Sequence, residues 1–389
     1  MTHSAMTRRA WLSGAGALTA QTILHPLPVS AGELPTAPVA VARCPSYGRE
    51  VLGALSRMFD QLGGLEGLVK GKSVAVKINM VGGPGFRFQN LPVQWTHWTH
   101  PAVIGATVYL LGRAGARRIR VLECGGAVTD PLELWMEQAG WNPDDIRNAA
   151  PDVEFQNTNG TGSADSYALI ECPAGHIFPG YEVDRAYTDC DVFVSIPKMK
   201  EHHWFGVTLS MKNCYGMTPL TIYGDGAGVD EPSRDVEGTR VEILHNGDRA
   251  PSRSAPQEID PDSPRAADYR MPRIIADIVS ARPVDLAVID GIRTIAGGEG
   301  PWYDNVRPVS PGVLLAGSNP VTTDAVGLAV MGFDPAAGRG TPPFENCDSF
   351  LTFAEELGLG TRDLNRIEVL GAPIADARYE FRGAELPGP

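Results

Sequence analysis

A cluster of cationic side chains lies in the middle of an acidic chain. The segment PKMKEHHWFGVTLSMKNCYG, residues 197–216, contains Lys198, Lys200, His202, His203 and Lys212, whereas the 389-residue chain carries a formal net charge of -13. Lysine and histidine side chains bind anions, stabilise a developing oxyanion and exchange protons with a substrate near neutral pH. We therefore take this segment as the centre of a predicted site.

Lys198 and Lys200 follow a predicted strand. The apolar run 191–196 ends at Pro197, which suits the end of a strand because proline has no backbone N–H to donate. Alternate residues of an extended chain point to the same side, so we expect the two lysines to face one way. The alternative is that they are solvated surface charges, and the sequence does not separate the two.

The residues after Lys200 are predicted to pass from extended chain to helix. The string GVTLSMKN suits a helix that begins near Gly206, whose free N–H groups would add to the positive region. Lys212 interrupts an apolar run, where a lysine needs a partner or a ligand. Only one of the adjacent His202 and His203 is expected to face the site. The predicted catalytic residues are Lys198, Lys200, His202 and Lys212.

The sequence predicts the frame for this site as an α/β fold, a largely parallel sheet flanked by helices in three layers. Apolar runs alternate with helical patterns along the chain. The predicted strands are 73–79, 118–122, 191–196, 284–289, 312–316 and 367–370, and the predicted helices are 102–115, 272–281 and 320–331.

Ligands of such sheets bind beyond the carboxyl ends of the strands, and polar residues occur there repeatedly. Glu123 follows the second strand, and Ser318 and Asn319 follow the fifth. We expect these side chains to form one rim. The predicted substrate-binding residues of this rim are Lys77, Asn79, Asn213 and Asp290.

A divalent transition metal at the rim is an open alternative. One histidine with two or three carboxylates is a mixed N/O set that suits Zn, Mn, Fe or Ni. The six cysteines include no C-x-x-C pair, so neither an iron–sulfur cluster nor a structural zinc site is predicted. The candidate metal ligands are His202, Glu123, Glu299 and Asp324.

Residues 1–31 have the pattern of a twin-arginine signal peptide. Arg8 and Arg9 precede a weakly apolar run that ends in small residues. We predict a linker at 32–45 and a domain at 46–389, in two related lobes as one option. A Gly/Pro/Asp-rich insertion at 223–267 is either disordered or a lid over the site.

The charge of the chain limits its partners. A strongly negative net charge argues against nucleic acid or an anionic membrane surface, because both bind basic faces. Beyond the signal peptide no transmembrane segment is predicted, so we expect no membrane anchor in the mature form. The predicted partners are the export machinery and a small anionic molecule, and the predicted location is periplasmic or secreted.

Residues 197–216 also carry a family resemblance. They resemble the pattern Pro-Lys-x-Lys, His, Gly-Val-Thr-Leu-x-x-Lys-Asn and Gly of the family catalogued as domain of unknown function 362. Segments 75–80, 99–123, 288–301 and 319–335 are similar to its other motifs, in family order. The resemblance implies functional roles for Lys77, Asn79, Glu123, Lys198, Lys200, His202, Lys212, Asn213, Asp290, Glu299 and Asp324.

The resemblance leaves the reaction open. Some members of the family carry ferredoxin-like cysteine motifs, which this chain lacks, so a redox role is not implied. The organisation of the family is distantly similar to that of nickel-cofactor lactate racemases, whose chemistry uses His and Lys.

Three functional hypotheses follow from the sequence. The favoured one is an exported isomerase, racemase or lyase that acts on a small oxyanionic substrate, carrying a carboxylate or phosphate, by Lys/His acid–base chemistry. A non-catalytic periplasmic protein that binds an anion or a metallocofactor would use the same residues. An electron-transfer accessory is disfavoured because the cysteines are scattered.

Export can be tested by replacing both signal arginines with lysine. Because the receptor of this route reads the arginine pair, R8K/R9K should leave unprocessed protein in the cytoplasm. Fractionation of cells by osmotic shock, with mass spectrometry of the N-terminus, measures the result. A periplasmic amount equal to that of the unaltered protein would contradict the prediction.

Overall fold

Eight strands form the central sheet of this computed structural model, which describes residues 33–125, 129–160 and 164–382. The predicted signal peptide lies outside the described residues. Six further strands of the described residues form three two-stranded sheets. In chain order, the described strands are β1 (Val39–Arg43), β2 (Ser73–Ile78), β3 (Arg118–Glu123), β4 (Val153–Asn157), β5 (Tyr167–Glu171), β6 (Gly180–Asp184), β7 (Val192–Ile196), β8 (Lys200–His202), β9 (Gly206–Thr208), β10 (Leu286–Gly291), β11 (Thr294–Ala296), β12 (Arg307–Val309), β13 (Val313–Gly317) and β14 (Val369–Gly371). The two-stranded sheets are β5-β6, β8-β9 and β11-β12.

Helices connect these strands. They are α1 (Glu50–Gln61), α2 (Glu66–Val69), α3 (Pro101–Arg113), α4 (Leu132–Gln138), α5 (Pro143–Arg147), α6 (Ser210–Cys214), α7 (Leu220–Tyr223), α8 (Ala267–Ala281), α9 (Pro320–Val330), α10 (Phe350–Glu356) and α11 (Ile374–Ala377). No described helix is both long and apolar enough to cross a membrane.

The sheet is largely parallel, as predicted. Its order is β14-β1-β13-β10-β7-β2-β3-β4, and β13 alone among these eight runs antiparallel to its neighbours. The carboxyl ends of β2, β3, β7 and β10 therefore lie at one edge. The residues after β13 leave the opposite edge, so the expectation that Ser318 and Asn319 belong to the rim was wrong.

Two hydrophobic clusters cover the two faces of the sheet. Along β2, Val74 and Val76 belong to the cluster with helices α1 and α3, and Ala75 belongs to the cluster with α6, α8, α9 and α10. Successive residues of a strand point to opposite faces, so the consecutive apolar residues 74–76 contribute to both clusters. The predicted three layers are thus present, and Lys77 shares the α6 face with Ala75.

Other predicted boundaries need correction. Residues 39–43, inside the predicted linker, form β1 between β13 and β14, because this short apolar run pairs on both sides. From Glu33 onward, the described residues make one compact unit around the sheet rather than two lobes. Gly206 does not begin a helix: at φ +77° it enters β9, which pairs with β8, and α6 starts at Ser210.

The insertion 223–267 packs through its own polar contacts. Asp225 accepts hydrogen bonds from the backbone and hydroxyl of Thr239, at 2.7 and 2.8 Å, and from the backbone of Glu242. Ile243 and Leu244, in a π-helical turn at Val241–His245, are buried in the α6-face cluster. The segment is thereby attached to the core on the face that bears α6.

Asp324 has a structural role in this face. Its carboxylate accepts hydrogen bonds from the backbone N–H groups of Ser210, at 2.8 Å, and Met211, at 2.9 Å, and from the Ser210 hydroxyl. The side chain is fully buried on α9. It therefore satisfies the free N–H groups at the start of α6 and joins that helix to α9.

Replacing Asp324 with alanine should destabilise the fold. Each buried donor left unpaired costs about 1–3 kcal/mol, so D324A should lower the free energy of unfolding by about 2–5 kcal/mol. D60A, an exposed aspartate on α1, is the matched control and should change it by less than about 0.5 kcal/mol. Urea titration measures both, and equal effects would contradict the capping role.

Candidate active site

A cavity of about 750 Å³ opens on the α6 face, beyond the carboxyl ends of β2 and β3. Of the predicted residues, it brings together four from the basic segment 197–216 and four from other parts of the chain. Those that line it are Lys77, Asn79, Glu123, Lys200, His202, Lys212, Asn213 and Glu299.

Lys77 and Glu123 form a buried ion pair at the floor of the cavity. Their side chains meet at 2.7 Å, and Lys77 also donates to the carbonyl of Ile78 at 2.7 Å. Glu123 accepts further hydrogen bonds from the backbone N–H groups of Met80, at 2.7 Å, and Cys124, at 2.9 Å. Both groups are therefore committed to each other and to the backbone.

Asn213 connects this ion pair to α6. Its amide nitrogen donates to the carbonyl of Lys77 at 3.2 Å and to the hydroxyl of Ser195 at 3.0 Å. A Cβ on Gly216 would lie 3.0 Å from the Lys77 ammonium, so glycine leaves room for the pair beside the helix end. Asn213 thus positions Lys77.

Lys200 and Lys212 face the cavity without a carboxylate partner among the residues that the structure describes. Lys200 donates to the carbonyl of His97 at 2.8 Å. The ammonium group of Lys212 makes no hydrogen bond or ion pair within that part of the chain. It lies 5.8 and 5.6 Å from the ring centres of Phe205 and Tyr215. Burial lowers the pKa of Lys212 to about 8 and that of Lys200 well below its usual range.

His202 and Glu299 are the second acid–base pair of the cavity. His202 Nδ1 lies 3.5 Å from Glu299 Oε2, which also accepts from the backbone N–H of His203 at 3.2 Å. Burial, and then the charges of Lys212 and Lys200, lower the pKa of His202 well below its usual value. His202 is therefore a neutral imidazole at pH 7.

Four polar atoms of the cavity wall are buried without a hydrogen-bond partner among the described residues. Buried polar groups are nearly always paired in proteins, so a cluster of exceptions indicates that something else supplies the partners. The four atoms are Asn79 Oδ1, His202 Nδ1, Thr208 Oγ1 and Tyr215 OH.

The sequence reasoning missed two cationic or titratable residues of the wall. Arg240 donates to the carbonyl of Thr218 at 2.8 Å and lies 2.9 Å from the sulfur of Cys124. His245 also faces the cavity, and burial lowers its pKa to about 3. Both belong to the insertion 223–267, where the only signal was the prediction of a lid.

Lys198 and Asp290 lie outside the cavity wall. They form a fully buried ion pair at 2.8 Å, and the hydroxyl of Tyr47 contacts both at 2.8 Å. Asp290 lies two residues after Val288 on β10, so both side chains point to the same face of the sheet. This face bears α1 and α3 and is opposite to the face of Lys77. It accepts from the backbone of His100 at the start of α3. The structure therefore gives these two residues a stabilising role instead of the predicted site roles.

The predicted metal ligands do not converge. Glu123 is paired with Lys77, and Asp324 caps α6, so only His202 and Glu299 are neighbours. Across residues 33–125, 129–160 and 164–382, no three His, Cys, Asp or Glu side chains are grouped to hold a metal ion. The donor set does not fit a metal centre, and we derive no step through one.

Comparison with known proteins identifies the family. The model of the family described as domain of unknown function (DUF362) matches residues 74–329, about two thirds of the chain. The chain belongs to this family. The DUF362 chain is also 24% identical over 300 residues to the thylakoid-associated protein sll1697 of Synechocystis sp., an alignment that covers 77% of this chain and 75% of that protein.

Two solved structures show a weaker likeness to the DUF362 chain. A protein from Thermotoga maritima has a TM-score of 0.35 at 16% identity, covering 68% of this chain and 54% of its own. The lactate racemase apoprotein from Thermoanaerobacterium thermosaccharolyticum has a TM-score of 0.35 at 11% identity, covering 70% and 54%. The chain thus spans about half the length of each, and these scores carry no argument about the site.

The buried pair of Lys198 and Asp290 can be tested by a double-mutant cycle. K198M leaves a buried carboxylate unpaired and should lower the free energy of unfolding by about 3–5 kcal/mol. K198M/D290N should cost less than the sum of the two single variants, because neither then buries an unpaired charge. Urea unfolding of the four proteins measures the coupling. Strictly additive changes in the free energy of unfolding would contradict an interaction between Lys198 and Asp290.

Proposed function

We propose that the DUF362 chain is an enzyme whose cavity binds a small organic anion and moves a proton on it. The observation that carries the proposal is the Lys212 ammonium, which lies at the cavity wall and forms no salt bridge or hydrogen bond within the described part of the chain. Arg240 adds a further cation, and Lys200 adds an amine whose ammonium form a bound anion would stabilise. Because Glu123 pairs with Lys77, Glu299 is the remaining carboxylate among the described residues of the wall.

The electrostatics favour an anionic ligand. Placing a lysine in a weakly polar environment costs free energy unless an opposite charge accompanies it. A carboxylate bound between Lys200 and Lys212 would supply that charge, and its oxygens would accept hydrogen bonds from Tyr215 and Thr208. Exclusion of water by the cavity would strengthen each of these interactions.

The proton chemistry follows from two groups with lowered pKa values. At pH 7 about a tenth of Lys212, with a pKa of about 8, is the neutral amine, which can accept a proton from the carbon next to a carboxylate. Lys200 and Arg240 would stabilise the oxyanion that develops. The Lys212 ammonium formed in this step can return the proton to the same or a neighbouring carbon, as an isomerase requires, and neutral His202, adjacent to Glu299, is a second base that can accept a proton.

We further propose export through the twin-arginine route to the periplasm or the medium. This proposal rests on Arg8 and Arg9 and is independent of the cavity.

Proton transfer can be tested by solvent deuterium exchange. A panel of 2-substituted carboxylates is incubated with the protein in D₂O, and NMR measures deuterium at the carbon next to the carboxylate. K212R should bind within about threefold of the unaltered protein but exchange at least about 100-fold more slowly, because arginine stays charged. K212M should lose binding as well. K70M, at the exposed lysine directly after α2, is the control and should change neither binding nor exchange.

The outcomes of this experiment distinguish the proposed enzyme from a non-catalytic anion-binding protein. Binding of carboxylates that depends on Lys212 but gives no deuterium exchange would replace the enzyme with a non-catalytic anion-binding protein. Binding that is equal in K212M and the unaltered protein would contradict the anion site itself.

The rate of exchange should depend on pH in one direction. Since the neutral amine of Lys212 is the base, the rate should rise from pH 6 and level off only above about pH 8, because the bound carboxylate raises the pKa of Lys212 from its value of about 8 in the free protein. In K212R the exchange rate should show no such rise, because arginine stays protonated over this pH range. A rate that falls between pH 6 and 8 would contradict Lys212 as the base.

A further inference from the structure

Aromatic side chains make up much of the same cavity wall, and several are exposed. Phe86 is 55% exposed and Trp302 is 41% exposed, and both line the cavity. Their rings meet edge to face, with centres 5.9 Å apart and planes at 85°. Large aromatic side chains are normally buried in cores, and clustered exposed ones mark a binding surface. These two rings therefore do not serve to fill the core.

The structure holds Trp302 in place with glycines. A Cβ on Gly82, at φ +71°, would lie 3.0 Å from the indole ring, and a Cβ on Gly300 would overlap it. The indole N–H donates to Glu299 at 3.4 Å, and the ring of His97 lies 5.9 Å away at 78°. Gly82 and Gly300 therefore make room for this indole.

The size of the cavity agrees with a ligand larger than its anionic group. A volume of about 750 Å³ lies within the range of about 300–1,000 Å³ in which proteins hold drug-sized molecules. A bare acetate or phosphate would leave most of it unfilled. The ligand must therefore bring apolar surface as well as charge.

We infer that the ligand is an aryl-bearing carboxylate, whose ring packs against Trp302 and Phe86 while its carboxylate pairs with Lys212. Aromatic rings prefer offset-stacked or edge-to-face contacts, and the right-angled pair offers both to a third ring. The anionic half of this inference rests on the proposed function, whereas the ring subsite rests on Phe86, Trp302 and the two glycines.

Calorimetric titration with matched probes tests the ring subsite. The probes are acetate, cyclohexylacetate, phenylacetate, 1-naphthaleneacetate and the neutral 2-phenylethanol. The unaltered protein should bind phenylacetate at least about tenfold more tightly than acetate, and more tightly than cyclohexylacetate. W302A should lose about tenfold in affinity for the aryl carboxylates and less than about twofold for acetate.

Three further variants control for folding and for nonspecific effects. W302F keeps a ring and should retain most of the aryl preference, and G300A should lose it because the indole is displaced. W95A removes a tryptophan of similar exposure that does not line the cavity, and it should bind every probe as the unaltered protein does.

The ring inference and the proposed function fail in different ways. Equal loss of acetate and aryl carboxylates in W302A, or no aryl preference in the unaltered protein, overturns the ring subsite. If acetate binding still depends on Lys212 in that case, the proposed function stands. Binding of 2-phenylethanol that depends on Trp302, without binding of any carboxylate, supports the ring subsite and overturns the anion site. Binding of none of the probes overturns both.

Discussion

The buried ion pair of Lys77 and Glu123 determines how charge is distributed over the site. It joins the ends of two neighbouring strands at 2.7 Å, and Asn213 connects it to α6. Because each partner satisfies the other, the pair removes one lysine and one glutamate from the chemistry of the cavity. Lys212, which directly precedes Asn213 on α6, has no such partner in the described structure. The reactive character that we propose for it depends on this difference.

The α/β fold could be predicted from the sequence because apolar runs of strand length that alternate with helical patterns are compatible with few other folds. β2 and β7 are buried at every position and apolar at most of them, which is typical of strands covered on both faces. The polar residues that end them were therefore placed at one edge correctly. Which face each one takes was not predicted: Lys77 points to α6, whereas Asp290 points to α1 and α3 and pairs with Lys198.

The rest of the site could not be predicted because it depends on long-range pairing. One reversed strand, β13, moves Asn319 to the far edge, and nothing in the apolar run Val313–Gly317 specifies its direction. From the sequence, Asp324 is a candidate metal ligand. Only the fold shows that its carboxylate accepts hydrogen bonds from the backbone at the start of α6. Arg240 lies in a segment without periodicity, so its place at the cavity wall is known only from its contacts with Thr218 and Cys124 in the structure.

The cavity draws its positive charge from two structurally separate sources. Lys200 and Lys212 belong to the segment that follows β7 and to α6, whereas Arg240 belongs to the insertion, which reaches the wall from outside the sheet. Any displacement of the insertion would therefore change two quantities together. It would widen the passage to solvent, and it would also weaken the hold on an anion by withdrawing one cation. Opening for product release and loss of affinity would then be one event.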